Sequence, residues 1–174
     1  MSKAPDFAAT FDEHLRDEFE LHDPAATMTT MSDSPHLYHL PTMAGGNGTD
    51  EVFRFYRDHF VTKWPKDTRT THISRTIGED QLVDELVMHF THDTPMDALL
   101  PGVAPTGKPV ALPVVVVVKF QDGKVAHEHI YWDQACLLVQ VGLLDRSHLP
   151  VTGAEQAQNL LDGRYATNEL LARL

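Results

Sequence analysis

The stretch VALPVVVVVKFQDGKVAHEHIYWD, residues 110–133, decides the fold class. Its five consecutive valines, Val114–Val118, are β-branched and apolar on both faces, which is typical of a strand in the middle of a sheet. Pro113 is expected at a bulge or at the start of this strand. Asp122-Gly123 is a signal for a tight hairpin, so residues 124–132 are expected to return as the neighbouring antiparallel strand.

From the N-terminus to this hairpin, the sequence predicts mainly helices first and mainly strands afterwards. Aromatic and apolar residues recur every four positions over residues 7–19, which indicates an amphipathic helix. The other predicted elements are a short helix after Asp23-Pro24, a strand at 36–40, a glycine loop at 45–48, a helix from Thr49 to Pro65, strands at 69–77 and 82–92, a loop at 93–108 and a helix after Asp133. The order predicts an α+β fold in which a strongly curved antiparallel sheet wraps the N-terminal helices and leaves a conical cavity.

The C-terminal residues are expected to form a separate helical appendix. We predict one domain over 1–145 and an appendix over 146–174, in which Thr152 and Glu155 have the spacing of a capping box. The appendix is expected to cover the mouth of the cavity or to hold a dimer partner.

Composition excludes several function classes. The 174 residues include 14 Lys+Arg and 25 Asp+Glu, for a formal net charge of −11, which argues against nucleic acid and anionic membrane surfaces as partners. The single cysteine, Cys136, cannot form an intrachain disulfide. No apolar leader or membrane-spanning run is visible, so we expect a cytoplasmic protein.

The last strand of the hairpin carries an unusual row of polar residues. Strand alternation puts His127, His129, Tyr131 and Asp133 on one face. In an apolar pocket Asp133 would serve as a general base, with Tyr131 donating a hydrogen bond to an oxyanion and His129 orienting the acid or moving a proton. In the alternative interpretation, Asp133 caps the following helix and the histidines occupy a hydrated sheet face.

The strand at 82–92 offers further candidates for catalysis. Glu85 and His92 are candidates, although alternation puts them on opposite faces unless a bulge intervenes. Asp84, on the more apolar face, competes with Glu85 as the carboxylate that faces the pocket. The side chains expected to bind substrate are His127, Trp132, Met88, Phe90, Phe53 and Phe60.

Metal and cofactor chemistry lack a sequence signature. His127 and His129 share a strand face, but a metal would need a third ligand such as His89 or Glu85. The sequence has no metalloprotease-like histidine spacing, nucleophile elbow, dinucleotide fingerprint or phosphate loop. We therefore expect no metal and no cofactor.

Two motifs around the valine strand resemble the SnoaL-like polyketide cyclase branch of the NTF2-like superfamily. They are Pro105-Thr106-Gly107-Lys108 before the strand, and Gly123-Lys124-Val125 followed about ten positions later by Asp133. The resemblance covers roughly residues 7–145. It implies an α+β cone, a homodimer, no cofactor and acid–base chemistry in a hydrophobic pocket. The catalytic aspartate of the cyclases matches Asp133, and the best match to their histidine is His92, which lies several residues early and lacks the flanking glycines.

The sequence thus predicts a cofactor-free acid–base enzyme acting on a small, mostly apolar carbonyl compound. The expected reaction is isomerisation, dehydration or aldol-type cyclisation. Two alternatives stay open, namely a non-catalytic protein that binds a small hydrophobic molecule, and a hydrolase of epoxides or lactones that uses the same pocket.

Overall fold

The valine strand is an inner strand of a six-stranded sheet in the computed structural model, which describes residues 6–173. In chain order the strands are β1 (Met31–His39), β2 (Ala44–Asn47), β3 (Arg69–Ile77), β4 (Gln81–Thr91), β5 (Pro109–Gln121) and β6 (Lys124–Trp132). Across the sheet they follow the order β2-β1-β6-β5-β4-β3. Strand β5 therefore lies between β4 and β6, and the hairpin predicted at Asp122-Gly123 joins β5 to β6.

The sheet is antiparallel except for one pair of strands. β1 runs parallel to β6, with Leu37 opposite Glu128 and His39 opposite Ile130. The expectation of a wholly antiparallel sheet is wrong at this pair. A parallel pair needs a long crossover connection, and here the chain between β1 and β6 contains the rest of the sheet.

Residues 45–48 do not form the expected loop, because residues 44–47 form the edge strand β2. Gly45 has a φ of +145°, and a Cβ at this position would lie 1.9 Å from the carbonyl oxygen of Leu37 on β1. The glycine therefore permits a close approach of two paired strands, and its presence did not indicate a loop.

Five α-helices accompany the sheet in the described part of the chain. They are α1 (Phe7–Phe19), α2 (Pro24–Thr29), α3 (Thr49–Phe55), α4 (Gln134–Gln140) and α5 (Glu155–Asp162). Asp23 caps α2 by accepting hydrogen bonds from two backbone N–H groups, as the Asp-Pro sequence predicted. Thr49 is the first residue of α3 and not its cap, and the helix continues as a wider π-type turn over Tyr56–Phe60.

The core lies between the N-terminal helices and one face of the curled sheet, which confirms the predicted α+β cone. Along β5, every second side chain is buried against this core, and the buried set is Val110, Leu112, Val114, Val116, Val118 and Phe120. The first helix contributes its aromatic face, since Phe11 is fully buried and Phe7 stacks on Phe120 with ring centroids 4.3 Å apart. None of the described helices is both long and apolar enough to cross a membrane.

The C-terminal segment packs against the sheet and α4. The buried Cys136 on α4 donates its S–H to the carbonyl of Gly153 at 3.2 Å, and Gln156 donates to Asp133 at 2.8 Å. α5 contacts β5 and buries Ala157 completely. The expectation that this segment covers the cavity mouth is wrong for its described residues, which take no part in the cavity wall. The predicted capping box is also wrong, since α5 begins at Glu155.

We predict that Ala157→Glu destabilises the protein, because it forces a charged side chain into the contact between α5 and β5. The free energy of unfolding should fall by about 3 kcal/mol, from overpacking and burial of an unpaired charge. Urea unfolding followed by circular dichroism measures the change. Gln158→Glu places the same side chain at a less buried neighbouring position and should change stability little; equal losses in both variants would contradict the packing described here.

Candidate functional site

A cavity of about 450 Å³ opens between α1, the end of the π-type turn and the concave face of the sheet. Its wall is mainly aromatic and aliphatic, and includes Phe19, Phe60, Trp64, Met88, Ile130 and Trp132. Its rim carries exposed polar residues such as Arg16 and Lys66. Three buried polar residues, Glu18, His39 and Glu128, also line it, and each is 3 % exposed. Such a cavity, mostly apolar with a few polar groups, is typical of small-molecule sites.

Local periodicity explains why these polar side chains face inward. On α1, Glu18 follows Phe11 by two turns, and both lie on the face that packs under the sheet. On β6, Glu128 alternates with the histidines and shares its face with Ile130 and Trp132. A helix and a strand distant in sequence thus bring two carboxylates to one place.

His14 lies between these two carboxylates and is fully buried. Its Nε2 atom is 3.0 Å from Glu128 Oε1 and 3.2 Å from Glu18 Oε1. The Tyr56 hydroxyl donates a 3.0 Å hydrogen bond to Glu128 Oε1. On the other side of the ring, Nδ1 lies 2.7 Å from Thr30 Oγ1, whose own hydrogen is donated to the Thr27 carbonyl. His14 Nδ1 therefore carries a proton and donates a hydrogen bond to the hydroxyl oxygen of Thr30. We call His14, Glu18, Tyr56 and Glu128 the buried charge cluster.

The carboxylates make His14 a cation. Burial alone would lower the pKa of His14, but the charges and hydrogen bonds of Glu128 and Glu18 outweigh burial and raise the pKa to about 10. For Glu128, burial favours the neutral acid, but the positive charge of His14 and the hydrogen bonds from His14 and Tyr56 prevail and lower its pKa.

Glu18 is the member of the cluster suited to proton exchange. Burial raises its pKa, and the attraction of His14 only partly opposes this effect. Its Oε1 atom is buried and, despite the short distance to His14, makes no well-aligned hydrogen bond. The two carboxyl groups therefore lie in different environments, since burial favours the neutral acid at Glu18 while His14 and Tyr56 favour the carboxylate at Glu128.

His39 supplies a neutral imidazole on the opposite wall. Burial lowers its pKa to about 4, an effect that the charge of Glu128 only partly opposes. The ring lies among Phe55, Phe60 and Trp132, with centroid distances of 5.4, 5.1 and 5.8 Å. Its Nδ1 atom makes no well-aligned hydrogen bond with the protein. This nitrogen is therefore available to a ligand in the cavity.

Within residues 6–173, two groups of side chains have the geometry to hold a metal ion. One is His14 with Glu18 and Glu128, and the other is His36 with His127 and His129 on the outer face of the sheet. In the first group a proton on His14 Nε2 already links the ring to the carboxylates, and a cation would have to displace it. The geometry of the first group is therefore better explained by a protonated His14 that forms ion pairs with the two carboxylates than by a metal site.

The polar row on β6 does not face the cavity. His127 and His129 lie partly buried on the outer face, and Tyr131 on that face is 44 % exposed. Asp133 caps α4, accepting from the Cys136 N–H at 3.1 Å and from Gln156 at 2.8 Å. Our placement of this row in the pocket, and of His127 against substrate, is wrong. The alternation was predicted correctly, but the core covers the other face, the one with Ile130 and Trp132.

The candidates on and after β4 also lie outside the cavity wall. His92 is buried, and its Nδ1 atom accepts from the Thr106 N–H at 3.4 Å, so it holds the Pro-Thr-Gly-Lys loop. Glu85 lies on the outer face and accepts from Ser74. Asp84 faces inward, but Arg75 binds both of its oxygens at 2.7 Å. The structure therefore gives each of these residues a structural contact away from the wall.

Three of the five apolar residues predicted to bind substrate lie in the cavity wall. Phe60, Met88 and Trp132 line the cavity as expected. Phe90 is buried behind the wall, where it packs on Trp64 at a centroid distance of 6.3 Å. Phe53 points away, with the guanidinium of Arg57 over its ring. Placing Phe90 and Phe53 in contact with substrate is therefore wrong.

Sequence reasoning missed the members of the buried charge cluster and His39. A usable signal was present for two of them, because His14 and Glu18 are four residues apart on a helix that also carries a buried aromatic face. Glu128 stands between apolar residues on the same strand face, which is unusual for an unpaired carboxylate. Tyr56 and His39 gave no comparable signal.

We predict that His14→Gln lowers the free energy of unfolding by about 3–5 kcal/mol at pH 8, because it leaves two buried carboxylates without their cation. Because the pKa of His14 is raised to about 10, the stability that its charge supplies is lost as the pH rises towards that value. The loss caused by His14→Gln should therefore shrink between pH 8 and about pH 10.5, where wild type also holds the carboxylates without a cation. Denaturant unfolding at the two pH values measures it. His148→Gln, at an exposed position, is the control, and a pH-independent loss in His14→Gln would contradict the cluster described here.

Comparison with known proteins agrees with this fold. The profile of the SnoaL-like polyketide cyclase family matches residues 9–141. No curated protein sequence gives a significant match. Among solved structures, a proposed SnoaL-like polyketide cyclase from Jannaschia sp. CCS1 has 16% identity and a TM-score of 0.62, over 83% of this chain and 99% of that one.

Two further solved structures share this fold. TsrD from Streptomyces laurentii has 16% identity and a TM-score of 0.61, over 83% of this chain and 99% of its own. TerC, co-crystallised with polyporic acid, has 13% identity and a TM-score of 0.58, over 78% of this chain and 98% of its own. At these identities the likeness shows the fold alone, whereas the profile match covers most of the chain. The chain therefore belongs to the SnoaL-like polyketide cyclase family, as the motifs around the valine strand predicted.

Proposed function

We infer that the protein is an acid–base enzyme that moves a proton on a small, mostly apolar carbonyl compound held in the cavity. The observation that carries this proposal is the pair Glu18 and Glu128, bridged by His14 at the buried end of an aromatic cavity. Carboxylates with environments that push their pKa values apart are the usual basis for assigning acid and base roles. Burial raises the pKa of Glu18, while His14 and Tyr56 lower that of Glu128.

In this proposal Glu18 is the general base. Its carboxylate takes the proton from the carbon next to the substrate carbonyl, and the electron pair of that C–H bond moves to the carbonyl oxygen as an enolate. When the enolate is extended by a double bond, returning the proton from Glu18 to the γ-carbon gives isomerisation. Giving that proton to a departing β-hydroxyl releases water and gives dehydration. Attack of the enolate carbon on a second carbonyl, whose oxygen then takes the proton, gives aldol-type closure. A raised pKa suits Glu18 to this exchange because the proton must be released again.

His39 and the indole of Trp64 are the groups we assign to the substrate oxygen. Both line the cavity, and neither His39 Nδ1 nor Trp64 Nε1 has a well-aligned hydrogen-bond partner in the protein. An N–H donor in an apolar cavity stabilises a developing oxyanion more strongly than it would in water. His14 and Glu128 position Glu18 and hold the compensating charge, so we assign them no contact with substrate.

The size and lining of the cavity limit the substrate. A volume of about 450 Å³ suits a molecule of one or a few rings, and the aromatic wall favours an apolar one. TerC, which shares the fold, was co-crystallised with polyporic acid. This supports the cavity as a small-molecule site and leaves the reaction to experiment.

We predict that Glu18→Gln removes proton abstraction with little effect on ligand binding. The test compares wild type and variant on a panel of apolar ketones and β-hydroxyketones in D₂O, following deuterium uptake next to the carbonyl by NMR. General-base catalysis contributes about 10²–10⁴-fold, so the exchange rate should fall by that factor. Fluorescence of the two tryptophans, Trp64 and Trp132, reports binding.

Asp133→Asn is the matched control, since asparagine also caps helices and Asp133 lies outside the cavity wall. This variant should exchange deuterium at the wild-type rate. A folded Glu18→Gln variant that exchanges as fast as wild type would contradict the assignment of the base. Tight binding without exchange would instead support the non-catalytic alternative.

A further inference from the structure

Three histidines meet on the outer face of the sheet, across the strands from the cavity. His36 on β1 is paired with His127 on β6, and His129 follows two residues later on the same face. His36 Nε2 lies 3.0 Å from His129 Nε2, and the His127 and His129 rings stack at 4.2 Å. One nitrogen from each of the three rings lies within 4.8 Å of the others. We call these residues the outer histidine cluster.

We propose that the outer histidine cluster is a binding site for a divalent transition-metal ion of the zinc class. Zinc takes imidazole nitrogens at about 2.0–2.1 Å in tetrahedral geometry, which separates two ligand nitrogens by about 3.3 Å. The observed distance between His36 and His129 is already close to this value. The stacked ring of His127 must tilt to aim its nitrogen at the same point, and its partial exposure leaves room for this movement.

The nearest charged side chain across the strand pair is already neutralised by a partner. Lys119 on β5 faces His127, and its ammonium group pairs with Asp80. A metal binds each ring through the lone pair of a neutral imidazole nitrogen, so the ion and a proton compete for the same position.

The surroundings give the site one side wall and one open side. The Tyr38 ring stacks on His129 at 5.6 Å and lies 4.9 Å from the ring of His36, and its hydroxyl is held by Asn47. The partly exposed face of the three rings leaves a fourth coordination position to water. Three histidines with one open position are a ligand set that zinc accepts.

This site is independent of the proposed reaction. Glu128, between His127 and His129 in sequence, points to the other face of the sheet into the buried charge cluster. Metal binding can therefore be tested without a substrate, and its failure would leave the proposed acid–base function as it stands.

The test is titration of the metal-free protein with Zn²⁺ by calorimetry, and with Co²⁺ by visible absorption. We expect one ion per chain and, for Co²⁺, the intense visible bands of a four-coordinate site. His129→Gln and His36→Gln, each of which removes one ligand, should weaken Zn²⁺ binding at least tenfold while circular dichroism shows an unchanged fold. Two positions are tested so that instability of one variant does not decide the result.

Two controls locate the ion. His89→Gln changes a partly exposed histidine on the same sheet face outside the cluster, and should bind Zn²⁺ like wild type. Glu18→Gln removes a ligand of the other candidate group and should also bind normally. Absence of saturable binding in wild type, equal binding in His129→Gln, or a loss confined to Glu18→Gln would each overturn the proposal.

Discussion

The structure depends on one buried ion pair network, in which His14 on α1 is held between Glu18 on the same helix and Glu128 on β6. Removing three ionisable groups from water costs several kcal/mol, and only close charge pairing with additional hydrogen bonds offsets that cost. Tyr56 and Thr30 supply those hydrogen bonds from two further elements. The network therefore fixes how the first helix sits in the sheet, and at the same time concentrates charge beside the cavity.

The two faces of the sheet carry ionisable residues in different surroundings. Inside, the ionisable residues at the cavity are buried among aromatic side chains, and three of them, His14, Glu18 and Glu128, contact one another. Outside, the histidines of β1 and β6 are partly exposed, and they contact one another and Tyr38. A single strand, β6, thus carries Glu128 of the buried charge cluster on one face and two members of the outer histidine cluster on the other, because consecutive side chains point in opposite directions.

The fold could be predicted from the sequence to a greater extent than the site. The valine run, the Asp-Gly turn and the Asp-Pro cap depend on local chemistry, and they form the predicted strands, hairpin and helix start. The face of β6 was misassigned because alternation defines two faces without saying which one the helices cover. Glu128 appeared unpaired in sequence, since its partners His14 and Tyr56 come from distant elements. Gly45 suggested a loop because the close approach to Leu37 is visible only once the strands are paired.

The most direct test of this account is the protonation state of His14 across pH. Two-dimensional ¹⁵N NMR of the imidazole nitrogens, assigned by the signals missing in His14→Gln, reports it. With a pKa of about 10, both nitrogens of His14 should remain protonated at pH 8.5, where a histidine with the ordinary pKa of about 6.5 is neutral. A neutral His14 at pH 7 would contradict the buried ion pair, and with it the separation of roles between Glu18 and Glu128.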